Sequence, residues 1–197
     1  MLKKLMFSLV LVGTAAGIAG LGTYASFTSS TAAQAQNLTS GTVSITLGTA
    51  NRLTVGAANL VPGDTLQRAV DITNNGSAGT SSVGSVTLST NATTSSQLDQ
   101  DASNGLQMQI DNCSVAWTES GPPYAYTCGG TTSSVLSSRP VIGSNLALSN
   151  MSAVTAGNTD HLRVTLTLPA GASNALQGQS SIIAYTFTAD QRTAASQ

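Results

Sequence analysis

Apolar and polar residues alternate along much of this chain. Val43, Ile45 and Leu47 are interleaved with Thr42, Ser44 and Thr46, and Leu66, Val70 and Ile72 with Gln67, Ala69 and Asp71. Leu162, Val164, Leu166 and Leu168 are interleaved with Arg163, Thr165 and Thr167. A period of two describes a strand with one face on a core and the other in water. Shorter strand candidates are Leu53 to Val55, Val83 to Leu88, Leu106 to Ile110, Val115 to Trp117, Tyr124 to Cys128, Leu146 to Leu148 and Ile182 to Thr188. Turn chemistry separates them: VPGD at 61–64, NNGS at 74–77, ESGPP at 119–123 and LPAGA at 168–172.

No long stretch carries a helical apolar period. Only SSQLDQDASNG from Ser95 and ASNALQG from Ala172 could form short helices, and both are rich in residues that favour caps and turns. The pattern therefore predicts an all-β protein, a jelly-roll-like antiparallel sandwich with one or two short helices in its loops.

The amino terminus breaks this pattern. Lys3 and Lys4 precede an uncharged apolar run from Leu5 to Leu21, followed by small residues, which is the layout of a secretory signal peptide. A membrane anchor is the rival reading. Glycines dilute the run, nothing basic follows it before Arg52, and no second apolar span exists, so export with removal is the better account. Two cleavage sites compete, after Ala25 with a mature start at Ser26, or after Ala35. The first gives a signal peptide over 1–25, a flexible arm over 26–38, one β-sandwich domain over 39–191 and a tail over 192–197.

Once the leader is removed, no lysine remains, and five arginines face eight acidic residues. So few cations cannot neutralise many phosphates, which argues against nucleic acid as a partner. The chain also lacks the basic stripe of a membrane-surface helix. Cys113 and Cys128 are the only cysteines, and export makes a disulfide between them the expected state. Such a staple is worth about 3 kcal/mol in the chain-entropy treatment. It encloses Trp117, Tyr124 and Tyr126, which form either a local mini-core or a contact patch for a partner.

Catalytic chemistry is sparse. His161 is the only histidine, so neither a His-rich metal site nor an H-E-x-x-H helix exists. Asp160 points to the opposite face of the same strand, and parity puts His161 outward beside Arg163 and Thr165, where a solvated histidine is expected. Asp99, Asp101 and Asp111 lack the glycine and spacing of a calcium loop and are expected as solvated acids. No catalytic residue, metal ligand or cofactor is predicted.

Three blocks carry a family resemblance. The first is the leader running into SFTSSTAAQAQNLTSGTVSITL, with Phe27 near the mature start and then Leu38, Thr39, Ser40, Gly41, Thr42 and Val43. The second is NLVPGDTLQRAVDITNNGS, Asn59 to Ser77, and the third LQGQSSIIAYTFTADQ, Leu176 to Gln191. Together and in this order they resemble the TasA/camelysin family of exported bacterial proteins; the Cys113–Cys128 segment departs from its pattern. The resemblance implies processing between Ala25 and Ser26 and a jelly roll that polymerises into biofilm-matrix fibres. In such fibres each subunit lends an N-terminal strand to the next.

On that reading the donor strand carries Leu38, Val43, Ile45 and Leu47, and Phe27 anchors the arm. The partner is the protein itself, with other matrix proteins or polysaccharide as further candidates, and the location is extracellular or at the cell surface, with no lasting membrane anchor. Camelysin relatives also carry a metalloendopeptidase label, to which one histidine and scattered acids give little support. A monomeric secreted module binding glycan or peptide through Trp117, Tyr124 and Tyr126 is the alternative.

Overall fold

The computed structural model describes residues 28–31, 55–58, 60–76, 83–121 and 124–191. The signal-peptide region, the cleavage residues Ala25 and Ser26, Phe27, and the ribbon residues Leu38, Val43, Ile45 and Leu47 lie outside the described residues. In chain order the strands are β1 (Thr28–Thr31), β2 (Val55–Ala58), β3 (Thr65–Thr73), β4 (Val83–Thr94), β5 (Gln107–Cys113) and β6 (Thr118–Ser120). There follow β7 (Ala125–Thr127), β8 (Thr132–Pro140), β9 (Gly143–Ala147), β10 (Thr159–Thr167) and β11 (Ser180–Gln191). The helix α1 (Gln97–Gln100) and a 3₁₀ turn at Asn174–Leu176 fall in the two segments whose composition allowed short helices.

Two antiparallel sheets form the all-β sandwich that the alternation predicts. One has the order β1–β11–β4–β9, with β2 also on β11, and the other β3–β10–β5–β8. β6 and β7 make a separate ribbon. Along β10, Leu162, Val164 and Leu166 face inward, and across the core Ile183, Tyr185, Phe187 and Ala189 of β11 do the same. Val70, Ile72, Val86, Leu88, Met108 and Ile110 fill the space between. Fully burying side chains of this size contributes about 1.5–3 kcal/mol each.

Where α1 meets β11, buried polar groups are matched. Ser96 caps the helix by accepting the Leu98 N–H, and Asp99 accepts the Ser96 N–H in return, forming a capping box. The Ser181 hydroxyl, itself fully buried, donates to the same Asp99 carboxylate at 2.5 Å. Burial pushes the Asp99 pKa up, but the hydrogen bonds from Ser181, Ser96 and Ser95 outweigh it and hold the carboxyl below its ordinary value.

Several boundaries differ from the pattern-based expectation. β4 runs on to Thr94, because its Thr and Asn residues pair with β11 without needing apolar side chains. The strand expected at Val115 to Trp117 starts instead at Thr118. β8 has no counterpart among the expected strands: its only large apolar residues, Val135 and Leu136, are adjacent, and the register with β5 shifts beside them. Within the stretch expected to be a flexible arm, Thr28–Thr31 is a strand on β11, its backbone satisfied by an edge that was otherwise open.

The edge formed by β1 and β2 has an unusual construction. β1 runs along β11 from Asp190 to Phe187, and β2 along the same side from Ile183 to Ser180, both antiparallel. They are two pieces of a single strand position. Among the described residues nothing pairs with Ala184, Tyr185 or Thr186 on that side, and residues 32–54 intervene in sequence between the pieces.

Candidate functional site

Two regions concentrate the residues that the sequence singles out. The first is the outer face of the β3–β10–β5–β8 sheet. Strand parity sends His161, Arg163 and Thr165 outward, and register sets His161 between Asp71 of β3 and Cys113 of β5, and Arg163 beside Asp111. Cys113 and Cys128 form the expected disulfide, with their Cα atoms 5.7 Å apart, and it holds the β6–β7 ribbon over this face.

The expectation of a solvated His161 is corrected. The imidazole Nδ1 lies 2.7 Å from Asp71 Oδ1, and the side chain is only 23% exposed. Across an antiparallel pair, directly opposed residues share a face, so Asp71 reaches the ring that Asp160 cannot. Asp160 instead points inward, fully buried, and accepts hydrogen bonds from the Asn112 amide, the Ser152 N–H and hydroxyl, and the Ala153 N–H.

Trp117 and Tyr126 lie on this face, and Tyr124 sits against Arg68 of the edge strand β3. Trp117 donates its indole N–H to the His161 carbonyl at 2.7 Å, and its ring sits 4.3 Å from the Arg163 guanidinium carbon. Arg163 in turn donates to Asp111 Oδ2 at 2.8 Å and to the Tyr126 carbonyl. Arg68 lies 5.5 Å from the centre of the Tyr124 ring. Tyr126 is buried and donates its hydroxyl to Glu119 at 2.5 Å; its own N–H bonds Gln67 Oε1. Burial, reinforced by the Glu119 carboxylate, pushes the Tyr126 phenol up to about 12, with Arg68 opposing.

The acids expected to be solvated fare differently. Asp101 accepts the Ser103 and Asn104 N–H groups in an exposed turn, and those bonds lower its pKa. Asp99 and Asp111 are instead buried and bonded, a correction that follows from the capping box and the Arg163 pair. All eight acidic residues, the histidine and both cysteines fall among the described residues, and no three of them converge to hold a metal ion. The cysteines are joined to each other, and His161 Nδ1 is engaged by Asp71. Among the described residues no hydroxyl or thiol hydrogen-bonds the imidazole. The arrangement clamps a ribbon to a sheet, and sequence reasoning missed the clamp because its contacts are set by register.

The second region is the divided edge of β11. Tyr185, at its centre, is 1% exposed with a hydroxyl that has no partner, and burial raises its pKa. Arg68, on the edge strand β3, also holds a buried Nε–H without an acceptor. The described residues contain no helix long and apolar enough to cross a membrane.

The sequence model of a family described as Camelysin metallo-endopeptidase matches residues 1–196. No curated protein and no solved structure matches.

Proposed function

The chain belongs to the TasA/camelysin family, and from that premise we propose that it is a secreted, non-enzymatic structural subunit that assembles into extracellular fibres by strand addition between copies. The family's name implies a catalytic metal, but the side chains do not fit one. A zinc protease needs three protein ligands and an open position, and here the histidine, the acids and the cysteines are dispersed or committed to one another.

The observation that carries the proposal is the split edge of β11. Among the described residues, a twelve-residue strand central to the core is covered on one side by two four-residue pieces that leave Ala184, Tyr185 and Thr186 between them unpaired. The piece at Thr28–Thr31 reads TSST, so its hold on β11 is backbone pairing without any large apolar side chain. Such pairing is worth about 0.5–1.5 kcal/mol per hydrogen bond. The intervening sequence contains the ribbon of Val43, Ile45 and Leu47, whose burial would be worth about 1.5–3 kcal/mol per residue. A strand with a strong apolar face therefore has reason to displace a weak one on a neighbour's β11.

An intrachain position enjoys an effective concentration around millimolar, so exchange depends on the home edge being poorly satisfied. The backbone of Ala184, Tyr185 and Thr186, without a partner on that side among the described residues, supplies that deficit.

The test is a reversible lock. Ser30 and Thr188 are register partners, so Ser30→Cys with Thr188→Cys ties β1 to its own β11. The oxidised variant should stay monomeric by light scattering and electron microscopy, and reductant should restore fibres, with equally treated wild type controlling for Cys113–Cys128. Fibres formed by the locked chain at wild-type yield would sink the proposal.

A further inference from the structure

Only part of β8 is available as a sheet edge. The Ser149 N–H donates to the Val135 carbonyl at 3.0 Å and the Asn150 amide to the Ser134 carbonyl at 2.8 Å, so the chain after β9 closes the first half. Farther along, Met108 pairs with Arg139 and Ile110 with Leu136, which sets Gln109 alone opposite Ser137 and Ser138. This bulge turns the strand away from a regular ladder.

An open groove of about 540 Å³ lies between β8 and the segment after β9, lined by Ser134, Ser137, Ser138, Arg139, Ser149 and Asn150 over the apolar Val135, Leu136 and Ala147. No carboxylate lines it. The Arg139 guanidinium passes against Gly143, where a Cβ would lie 3.0 Å from Nη2, and its buried Nε–H has no acceptor. Arg163 is paired with Asp111 and Arg68 lies against Tyr124, whereas Arg139 has no ion-pair partner among the described residues.

We propose that this groove binds an acidic sugar unit, with its carboxylate on Arg139 and its hydroxyls on the serines and Asn150. A guanidinium fork matches a carboxylate and leaves its energy unspent without one. Serine hydroxyls both donate and accept, which suits a polyhydroxylated ligand in either orientation. An extended acidic peptide fits less well. Strand addition needs a run of free N–H and C=O groups, and here that run is capped by Ser149 and Asn150 and then broken by the bulge. The chain's negative net charge also disfavours non-specific capture of a polyanion, so binding has to come from a defined site. The groove offers no aromatic platform, which keeps single-site affinity weak; repetition of the site along an assembly would multiply it.

The experiment titrates the purified chain with trigalacturonic acid and, separately, with its methyl ester, reading backbone amide shifts by NMR at fixed ionic strength. The acid should shift β8 and residues 147–150, and the ester should not. Arg139→Gln should weaken binding about ten- to hundredfold. Ser138→Asp, at an exposed position that leaves Arg139 in place, should do the same by repulsion, so a folding defect in the first variant leaves the test intact. The inference is overturned if trigalacturonic acid fails to bind at about 10 mM, or if the ester binds equally. Unchanged affinity in a folded Arg139→Gln or Ser138→Asp variant, or equal affinity for a triglutamate peptide, would overturn it as well.

Discussion

Arg163 lies beneath the ring of Trp117, its guanidinium carbon 4.3 Å from the ring centre, while one of its nitrogens bonds Asp111 at 2.8 Å. A cation held between a carboxylate and an aromatic face is partly desolvated, which strengthens both contacts. Trp117 is thus the fastening of the β6–β7 ribbon rather than a projecting ligand platform, and its indole N–H on the His161 carbonyl fixes the ring's rotation. Trp117→Ala should lower unfolding stability by about 2–3 kcal/mol. Trp117→Phe, which keeps a ring and loses the N–H, should cost about 1 kcal/mol. Urea titration of both variants measures the difference.

The disulfide acts on the same ribbon from the other end. Its cysteines are separated by 15 positions, a loop whose closure in the unfolded chain is worth about 3 kcal/mol. Replacing both cysteines by alanine should remove about that much, and should also make the 114–127 segment the first site of proteolytic nicking, because its contacts through Trp117, Tyr124 and Tyr126 would then hold it without a covalent staple. Limited proteolysis followed by mass spectrometry locates the first cut. A first cut elsewhere, with stability unchanged, would show that the staple contributes nothing to holding the ribbon.

The inward alternation of Leu162, Val164 and Leu166 is legible in the sequence because period two survives any choice of neighbour. Register is not legible, and the site depends on it. His161 meets Asp71, ninety positions away, only because β10 pairs with β3 in one alignment. A shift of one residue would have brought it to a core position. β8 escaped notice for a related reason: Val135 and Leu136 are adjacent, and a bulge beside them replaces the alternation by which strands are recognised. Having two cysteines in a chain read as exported did point to a staple, yet nothing in the order of Trp117 and Tyr126 says that they fold back on the sheet.

Stability should fall at both extremes of pH, for opposite reasons. Tyr126 ionises near 10 when unfolded and about 12 in the fold. Between those values the unfolded chain loses its proton first, so stability is full below about pH 10 and declines as pH rises toward 12, by on the order of 2 kcal/mol. Asp99 has its folded pKa lowered, so its contribution is present above the ordinary carboxylate value and is lost as pH falls through the folded value. Urea midpoints across pH check both limbs. Tyr126→Phe should make the alkaline limb shallower, leaving the part that buried Tyr185 contributes, and Asp99→Asn should do the same to the acid limb, where Asp101 acts in the same direction.

The turn between α1 and β5 leaves no room for a side chain at Gly105. A Cβ there would collide with the Asp101 carbonyl oxygen and fall 2.6 Å from that of Leu98. Neither oxygen can retreat, since the Gly105 N–H donates to Asp101 at 2.8 Å and the Leu106 N–H to Leu98 at 2.7 Å, closing the helix against the start of β5. The crowded atoms are all backbone, so rotamer changes cannot relieve the clash, and moving the turn would pull Leu98 and Leu106 out of the core. Gly105→Ala should therefore destabilise by about 2–4 kcal/mol, at the upper end of single-residue effects. Gly171→Ala, where an added Cβ meets nothing within 4 Å, should be neutral or slightly stabilising, because it removes freedom from the unfolded chain alone. Thermal melts of the two variants, which differ in the same single methyl, should separate by several degrees; coincident melts would mean that the turn is not packed as tightly as these hydrogen bonds require.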